Sequence, residues 1–339
     1  MDSDRRPQFG NRFLENPEEV FQHNAWDNVQ WDEAQEQEAK EKVLKNSATY
    51  VSKEMQERYE EDANDYWNKF YNIHRNRFFK DRHWLFTEFP ELLSQNKESL
   101  YPGRKQDNSS KDQSPSFQNT CGNIEEENNK KIILEVGCGV GNTVFPLLDA
   151  NNDSNFFIYC CDFSEVAISI VKNNASYDEN RCHAFVWDIT TDSSNIPFSK
   201  SSLDIITIIF VLSAINPDKF HCAIKNLTSY LKPGGVILFR DYGQYDMAEL
   251  RFKPGHCLQN HFYVRGDGTR VYFFTQANSS ANLSKPIQLS VEFVFVPLQN
   301  TPLLDRKGNK YEIKNRFGQK KQNSERYTMP SFLLVKCNS

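Results

Sequence analysis

The stretch Ile132-Ile-Leu-Glu-Val-Gly-Cys-Gly-Val-Gly-Asn142 decides how this chain is read. An apolar run, Ile132 to Leu134, ends in Glu135 and Val136, and glycines follow at alternate positions, Gly137, Gly139 and Gly141. Asn142-Thr-Val-Phe145 then suits a helix start. The order is strand, tight turn, helix. Glycine accepts positive φ and lets the backbone come close to a ligand. A helix N-terminus beyond the turn offers unpaired N–H groups. At the carboxyl end of a parallel strand, such a crevice is where open α/β sheets bind nucleotides.

Outward from that turn, apolar runs and helical stretches alternate, which predicts a parallel sheet flanked by helices. Strands are expected at 132–136, 156–161, 182–187, 204–210 and 235–239, with later candidates at 289–296 and 331–335. The 204–210 run is apolar on both faces, as a central parallel strand should be. Helices are expected at 143–149, at 165–173 behind Ser164 as N-cap, and at 217–231, stopped by Lys232-Pro-Gly-Gly235. The basic stretch Arg306 to Arg326 reads as a loop.

Two of the strands end in an acid. Asp162, after the second, is placed to accept hydrogen bonds from a ribose diol. Asp188, after the third, suits an adenine amino group. The Gly-x-Gly-x-Gly spacing lacks the third-glycine placement of dinucleotide turns, and no Gly-x-x-x-x-Gly-Lys phosphate loop is present. Ribose and adenine without phosphate point to S-adenosylmethionine.

Before the turn, Asp32 to His74 is rich in Glu, Lys, Gln and Ala with no Pro or Gly, so it reads as helical. Trp67 and Tyr71 lie four apart and share a face. They either anchor that helix on the core or line a pocket. In Arg75 to Phe89, cations alternate with aromatics: Arg75, Arg77, Phe78, Phe79, Lys80, Arg82, His83, Trp84. That pattern suits phosphate contacts beside a stacking platform. It equally suits an amphipathic segment whose Arg stems cover the core. Residues 94–130 are too polar to order themselves and read as a flexible linker. The expected organisation is an N-terminal extension (1–93), the linker, a cofactor-binding core (131–276) and a C-terminal segment (277–339).

The bulk numbers narrow the class. A hydrophobic share of 38% and a charged share of 25% over 339 residues suit a soluble globular protein. The formal charge of −5 excludes a global basic field, so any nucleic-acid contact must come from a local patch. The 8 cysteines lack a CxxC pair, which argues for a reducing compartment and against disulfides. Cys182/His183, His221/Cys222 and His256/Cys257 lack a close second ligand, so no metal is expected. With no secretory leader and no membrane-spanning apolar run, the expected location is the cytoplasm, with the nucleus as alternative.

Longer strings resemble one family, the tRNA 3-methylcytidine methyltransferases, a branch of the class I methyltransferases. The strings include Phe9-Gly-Asn-Arg-Phe13, His23-Asn-Ala-Trp-Asp-Asn-Val29, Phe78-Phe-Lys-Asp-Arg-His-Trp-Leu85, Leu134 to Asn142, and Cys160-Cys-Asp-Phe-Ser164. Ile209-Phe-Val-Leu-Ser-Ala214, Leu231 to Gly235, Arg240-Asp-Tyr-Gly243 and Phe262 to Phe274 complete them. The resemblance spans Arg5–Trp31, Tyr66–Leu93 and nearly all of 132–276. It implies the class I Rossmann-like fold, S-adenosylmethionine as cofactor, and N3-methylation of cytidine in the anticodon loop (position 32). The aromatic N-terminal arm is similar to the subgroup acting on threonine and arginine tRNAs. Expected partners are therefore tRNA and an aminoacyl-tRNA synthetase or other protein factor. By the same resemblance, Trp67, Tyr71, Gly137, Asp162, Asp188 and Ile209 belong to the cofactor pocket. Arg75, Arg82, His83 and Tyr242 are expected at the substrate, with Asp241, Arg240 and His83 as catalytic candidates. Asp241 is the candidate carboxylate for the cationic ring that N3-methylation creates. After Gln276 the likeness fades: 277–286 make a poor helix, and the segment is expected either to complete the sheet in an unusual way or to be a variant isoform or a gene-model artefact. The alternatives are a class I methyltransferase for another substrate, or a non-catalytic RNA-binding relative.

Overall fold

A computed structural model of the chain describes residues 33–93, 130–192, 195–275, 290–296 and 332–338. The aromatic arm Arg5–Trp31, the linker, the weak helix at 277–286 and the basic stretch Arg306–Arg326 lie outside the described residues.

The core is a seven-stranded sheet. Five parallel strands, β1 (Lys131–Val136), β2 (Phe156–Asp162), β3 (Cys182–Val186), β4 (Leu203–Ile209) and β5 (Leu231–Arg240), run in the order β3-β2-β1-β4-β5. β1 and β4 lie centrally and are buried over most of their length, which their unbroken apolar runs require. The chain reverses its direction of travel across the sheet between β1 and β4, and that switch point opens a crevice at their carboxyl ends. Helices α5 (Val144–Ala150), α6 (Glu165–Lys172) and α7 (Phe220–Thr228) make the connections. Ser164 caps α6, its Oγ accepting from the Ala167 N–H at 3.2 Å. The helix expected at 217–231 is shorter: Pro217–Lys219 is a 3-10 turn, and β5 already begins at Leu231. Lys232, read as part of a helix stop, instead pairs with Asp204 at 2.8 Å and ties β5 to β4.

The helical region before the linker is three helices, α1 (Glu33–Asn46), α2 (Lys53–Glu61) and α3 (Ala63–His74), followed by the short α4 (Leu85–Glu88). The breaks have local causes. Ser52 caps α2 through Met55 N–H, and Asp62 ends it. α1 lays Ala39 and Val43 against Leu250 of α8 (Met247–Leu250). A second sheet, absent from the sequence expectation, consists of three-residue strands β6 (Cys257–Gln259), β7 (Phe262–Val264) and β8 (Arg270–Tyr272). Their brevity hides the alternation on which strand recognition depends. They deliver Phe262, Val264 and Tyr272 to the main core.

β9 (Ser290–Val296) and β10 (Phe332–Asn338) complete the large sheet, β10 pairing antiparallel with both β5 and β9. The order β3-β2-β1-β4-β5-β10-β9 with one reversed strand beside β5 is the class I methyltransferase arrangement. Of the alternatives for the chain after Gln276, an unusual completion of the sheet is not what the structure shows: β10 pairs with β5 through the backbone, and such pairing tolerates divergent side chains.

Candidate active site

The crevice at the switch point is a cavity of about 290 Å³. Its floor is the glycine turn after β1. Gly137 and Gly139 hold φ of +60° and +54°, a conformation costly for any residue with a Cβ. A Cβ on Gly139 would stand 2.9 Å from the Tyr71 hydroxyl oxygen. The turn is thus shaped by what lies over it as well as by its own chain reversal. Asp162, at the end of β2, accepts from the Gly139 N–H at 2.9 Å and from the Ser164 N–H at 2.9 Å. Burial pushes its carboxyl up to about 6, partly offset by those bonds. Asp188 also lines the cavity, one oxygen fixed by the Thr190 N–H and hydroxyl at 2.9 and 2.8 Å.

The roof comes from the other side of the linker. α3 faces the cavity with Ala63, Asn64, Trp67 and Tyr71, the two rings stacked at 5.7 Å. Asn64 donates to the Phe163 carbonyl at 2.6 Å, and Ser164 Oγ donates to Asn68 Oδ1 at 2.6 Å. At the opposite rim Glu60 of α2 pairs with Lys219 and Arg270. So α2–α3 is bolted down on both sides of the opening.

Five residues expected at a cofactor, Trp67, Tyr71, Gly137, Asp162 and Asp188, line this one cavity. Ile209 does not. It is 1% exposed and packs in the core beneath, because it is still in the β4 ladder. The next residue, Phe210, lines the cavity instead.

The fit to an adenosyl sulfonium is chemical as well as geometric. Phe163, Val211 and Ile215 give apolar walls, and acids stand at the ends of two neighbouring strands. The turn 137–143 carries no cation to hold a phosphate. Four carboxylates line the cavity, Glu60, Glu61, Asp162 and Asp188, against two cations, Lys219 and Arg270. That excess of negative charge suits a positively charged ligand. Asp162 and Asp188 would hold the ribose and adenine ends, with Trp67 and Tyr71 closing over them.

Beside the cavity, Phe210 holds φ of +59°, an uncommon state for a bulky residue. Its N–H donates to the Arg240 carbonyl at 2.7 Å. The Arg82 and Arg240 guanidiniums lie 5.9 and 5.8 Å from its ring centroid, and the Tyr242 ring lies 4.9 Å away. Arg240 also covers the Trp84 ring at 4.1 Å. Phe210, which lines the cofactor cavity, joins this cation–aromatic cluster to it.

A family described as a methyltransferase domain matches residues 134–237. The Danio rerio protein named tRNA N(3)-cytidine methyltransferase METTL2 is 54% identical, covering 84% of this chain and 82% of its own. The chain belongs to the tRNA N(3)-cytidine methyltransferase family. The likeness extends to Homo sapiens METTL2B, 51% identical over 81% of this chain and 83% of its own. It reaches the Schizosaccharomyces pombe tRNA N(3)-methylcytidine methyltransferase trm140, 40% identical over 79% and 77%.

For a tRNA N(3)-cytidine methyltransferase, the substrate-side candidates divide by location. Arg240 and Tyr242 join the Phe210 cluster. Arg82 turns inward: its Nη1 donates to Thr143 Oγ1 at 3.1 Å and lies 3.7 Å from the buried Glu135. Burial raises the Glu135 carboxyl to about 7, with Arg82 pulling it back down. The 79–82 segment is pinned there by the Asn142 amide, which donates to Asp81 at 3.0 Å. Asp241 is 3% exposed; its oxygens accept from the Ser213 and Tyr242 N–H groups, both at 2.9 Å. Its place is a brace under the cluster, and burial raises it to about 6. Arg75 and His83 are exposed and not drawn into the cluster. Sequence reading missed Phe210, Glu60, Asn64 and Arg270. The Asn64/Asn68 pair, four apart and on the same helix as Trp67, was the one available signal.

Among the described residues no group of three or more His, Cys, Asp or Glu is placed to hold a metal ion. No helix among them is long and apolar enough to cross a membrane.

Proposed function

We propose that this chain is an S-adenosylmethionine-dependent tRNA methyltransferase that forms N3-methylcytidine. The observation that carries the proposal is the junction at Phe210, where a cavity suited to an adenosyl cofactor meets aromatic rings and guanidiniums suited to a nucleotide. The relatives' names, shared over about four-fifths of the chain, support the same reading.

The chemistry asks little acid–base work of the protein. Cytosine N3 has an in-plane lone pair at neutral pH and needs no general base. Bound S-adenosylmethionine supplies a methyl group already activated on a positively charged sulfur. The chain's residues must align the base with that methyl and exclude water. N3 lies on the Watson–Crick edge, so the base must be unpaired or flipped out. Phe210 and Tyr242 offer ring faces on which it can stack, and those faces attract the positive charge that the ring acquires. Arg240, held over Trp84, and Arg82, held inward by Thr143 and Glu135, keep the cluster rigid, and Arg240 favours flanking phosphate. Asp241 acts as a positioning residue, fixing Ser213 and Tyr242 through their N–H groups.

The target proposed is the anticodon loop of threonine and arginine tRNAs, supported by the resemblance of the Arg5–Trp31 arm to that subgroup. An aminoacyl-tRNA synthetase or other protein factor is the proposed partner, and the cytoplasm the proposed location. A chain with a net charge of −5 has little long-range pull on RNA, so a partner that brings the tRNA compensates for it. The test is methyl transfer from labelled S-adenosylmethionine to total tRNA, with and without cell extract. Label on tRNA is expected, and more of it with extract. Label confined to protein or small molecules overturns the proposal.

A further inference from the structure

α3 presents two working faces. One lines the cofactor cavity. On the other, Tyr66, Lys69, Phe70, Ile73 and His74 follow the i, i+3, i+4, i+7, i+8 spacing of a single helix face, and they line a second cavity of about 450 Å³. Its far wall is the β7–β8 hairpin turn with Arg265 and, next to it, His256. The turn packs closely here: a Cβ on Gly268 would stand 2.1 Å from the Tyr66 ring.

The chemistry of this cavity is aromatic and cationic. The Tyr59 and Tyr66 rings sit 5.5 Å apart on its wall. Lys69 and Arg265 contribute fixed positive charge, and Lys69 is exposed. Asp267 is the one acid among the described residues lining it, and its Oδ1 already accepts from the Thr269 N–H and hydroxyl at 2.9 and 2.7 Å. His256 Nδ1 lies 3.0 Å from the Val264 carbonyl. A carbonyl only accepts, so Nδ1 carries the proton, and in the neutral ring Nε2 is left as an acceptor. Stacking faces, cations for phosphate and one acceptor form the combination that holds a single-stranded nucleotide. Arg265 links this cavity to the reaction centre: its guanidinium is 5.7 Å from the Tyr242 ring, which is 4.9 Å from Phe210.

We propose that this cavity is a subsite for a nucleotide flanking the target cytidine in the RNA loop. The proposal rests on the reading of the chain as a tRNA methyltransferase. The subsite selects substrates by requiring an unpaired neighbour as well as an unpaired target.

The test measures binding of a fluorescent anticodon stem-loop RNA by the full chain. Wild type, Tyr59→Leu and Lys69→Glu are compared on intact RNA and on RNAs with one flanking nucleotide made abasic. One abasic position is expected to weaken wild-type binding about tenfold. Tyr59→Leu, which keeps apolar bulk, is expected to lose about tenfold on intact RNA and to be indifferent to that abasic position. Lys69→Glu is expected to weaken all the RNAs alike and to lower the log–log salt slope by about one. Affinity for S-adenosylhomocysteine, within about twofold of wild type in both variants, reports that they fold. Wild-type affinity and wild-type abasic sensitivity in both variants overturn the subsite. If wild type methylates the stem-loop in that case, only the subsite falls. If wild type binds no stem-loop yet methylates it once cell extract is added, the subsite alone falls; if it neither binds nor, with extract, methylates the stem-loop, the subsite and the tRNA reading fall together.

Discussion

Gly139 shows how much one residue carries. Its φ of +54° strains any residue with a Cβ, and an added Cβ 2.9 Å from the Tyr71 hydroxyl would push that ring out of place over the turn. Gly139→Ala is predicted to cost about 1–2 kcal/mol from backbone strain alone and to abolish measurable cofactor binding, read by thermal melting and calorimetry. Asp162 sets a pH dependence. Only its ionised form offers acceptors on both oxygens to a ribose diol, and its carboxyl titrates near 6. Affinity for S-adenosylhomocysteine is therefore predicted to be flat above pH 7 and to fall below pH 6, by up to about tenfold per unit. Stability without cofactor runs the other way. Asp162, Asp241 and Asp246 are raised to about 6 and Glu135 to about 7, above their unfolded values. Their ionised forms cost the fold stability above pH 7. That cost is relieved as pH falls through the folded values toward about 4, where the unfolded groups protonate too. Opposite pH trends in melting temperature and cofactor affinity are the expected signature. Phe210 marks what residue type does not reveal. Its left-handed backbone follows from its tie to the Arg240 carbonyl, and nothing in a phenylalanine announces it.

Among the elements, the α2–α3 lid deserves the sharpest test. Glu60 is its fastening at one rim, and Arg270, 7% exposed at its side chain, loses its carboxylate partner if that charge is removed. Glu60→Gln is predicted to raise the cofactor dissociation rate about tenfold, on the order of 1.4 kcal/mol, measured by stopped-flow tryptophan fluorescence. An unchanged rate would mean that Asn64 and Asn68 hold the lid by themselves. This fastening was not legible in the sequence, because Glu60 and Arg270 are 210 positions apart and lie on either side of the linker. The glycine turn, Asp162 and Asp188 were legible because their spacing is local and their strands announce themselves by apolar runs. Ile209, taken from the family resemblance, lies one residue short of the cavity lining, because it is still paired with Arg240 in the β4 ladder. The three-residue strands β6 to β8 were too short for any period to show.

At the scale of the whole molecule, the sheet depends on chain far from the cofactor. β10 covers the edge of β5 along Phe332–Lys336, and β9 covers β10. A chain ending at 276 is predicted to expose β5 as an unpaired edge and to aggregate, with soluble yield and light scattering as the measurements. Equal solubility would assign β9 and β10 a role other than closing the sheet.

What matters most is which atom of the RNA receives the methyl group. Threonine tRNA incubated with the full chain and S-adenosylmethionine, then digested to nucleosides and resolved by chromatography and mass spectrometry, answers it directly. 3-Methylcytidine is the expected product, lost when the target cytidine is replaced by uridine. Methylation at cytosine C5 or on another base, or none even with cell extract added, would overturn that assignment.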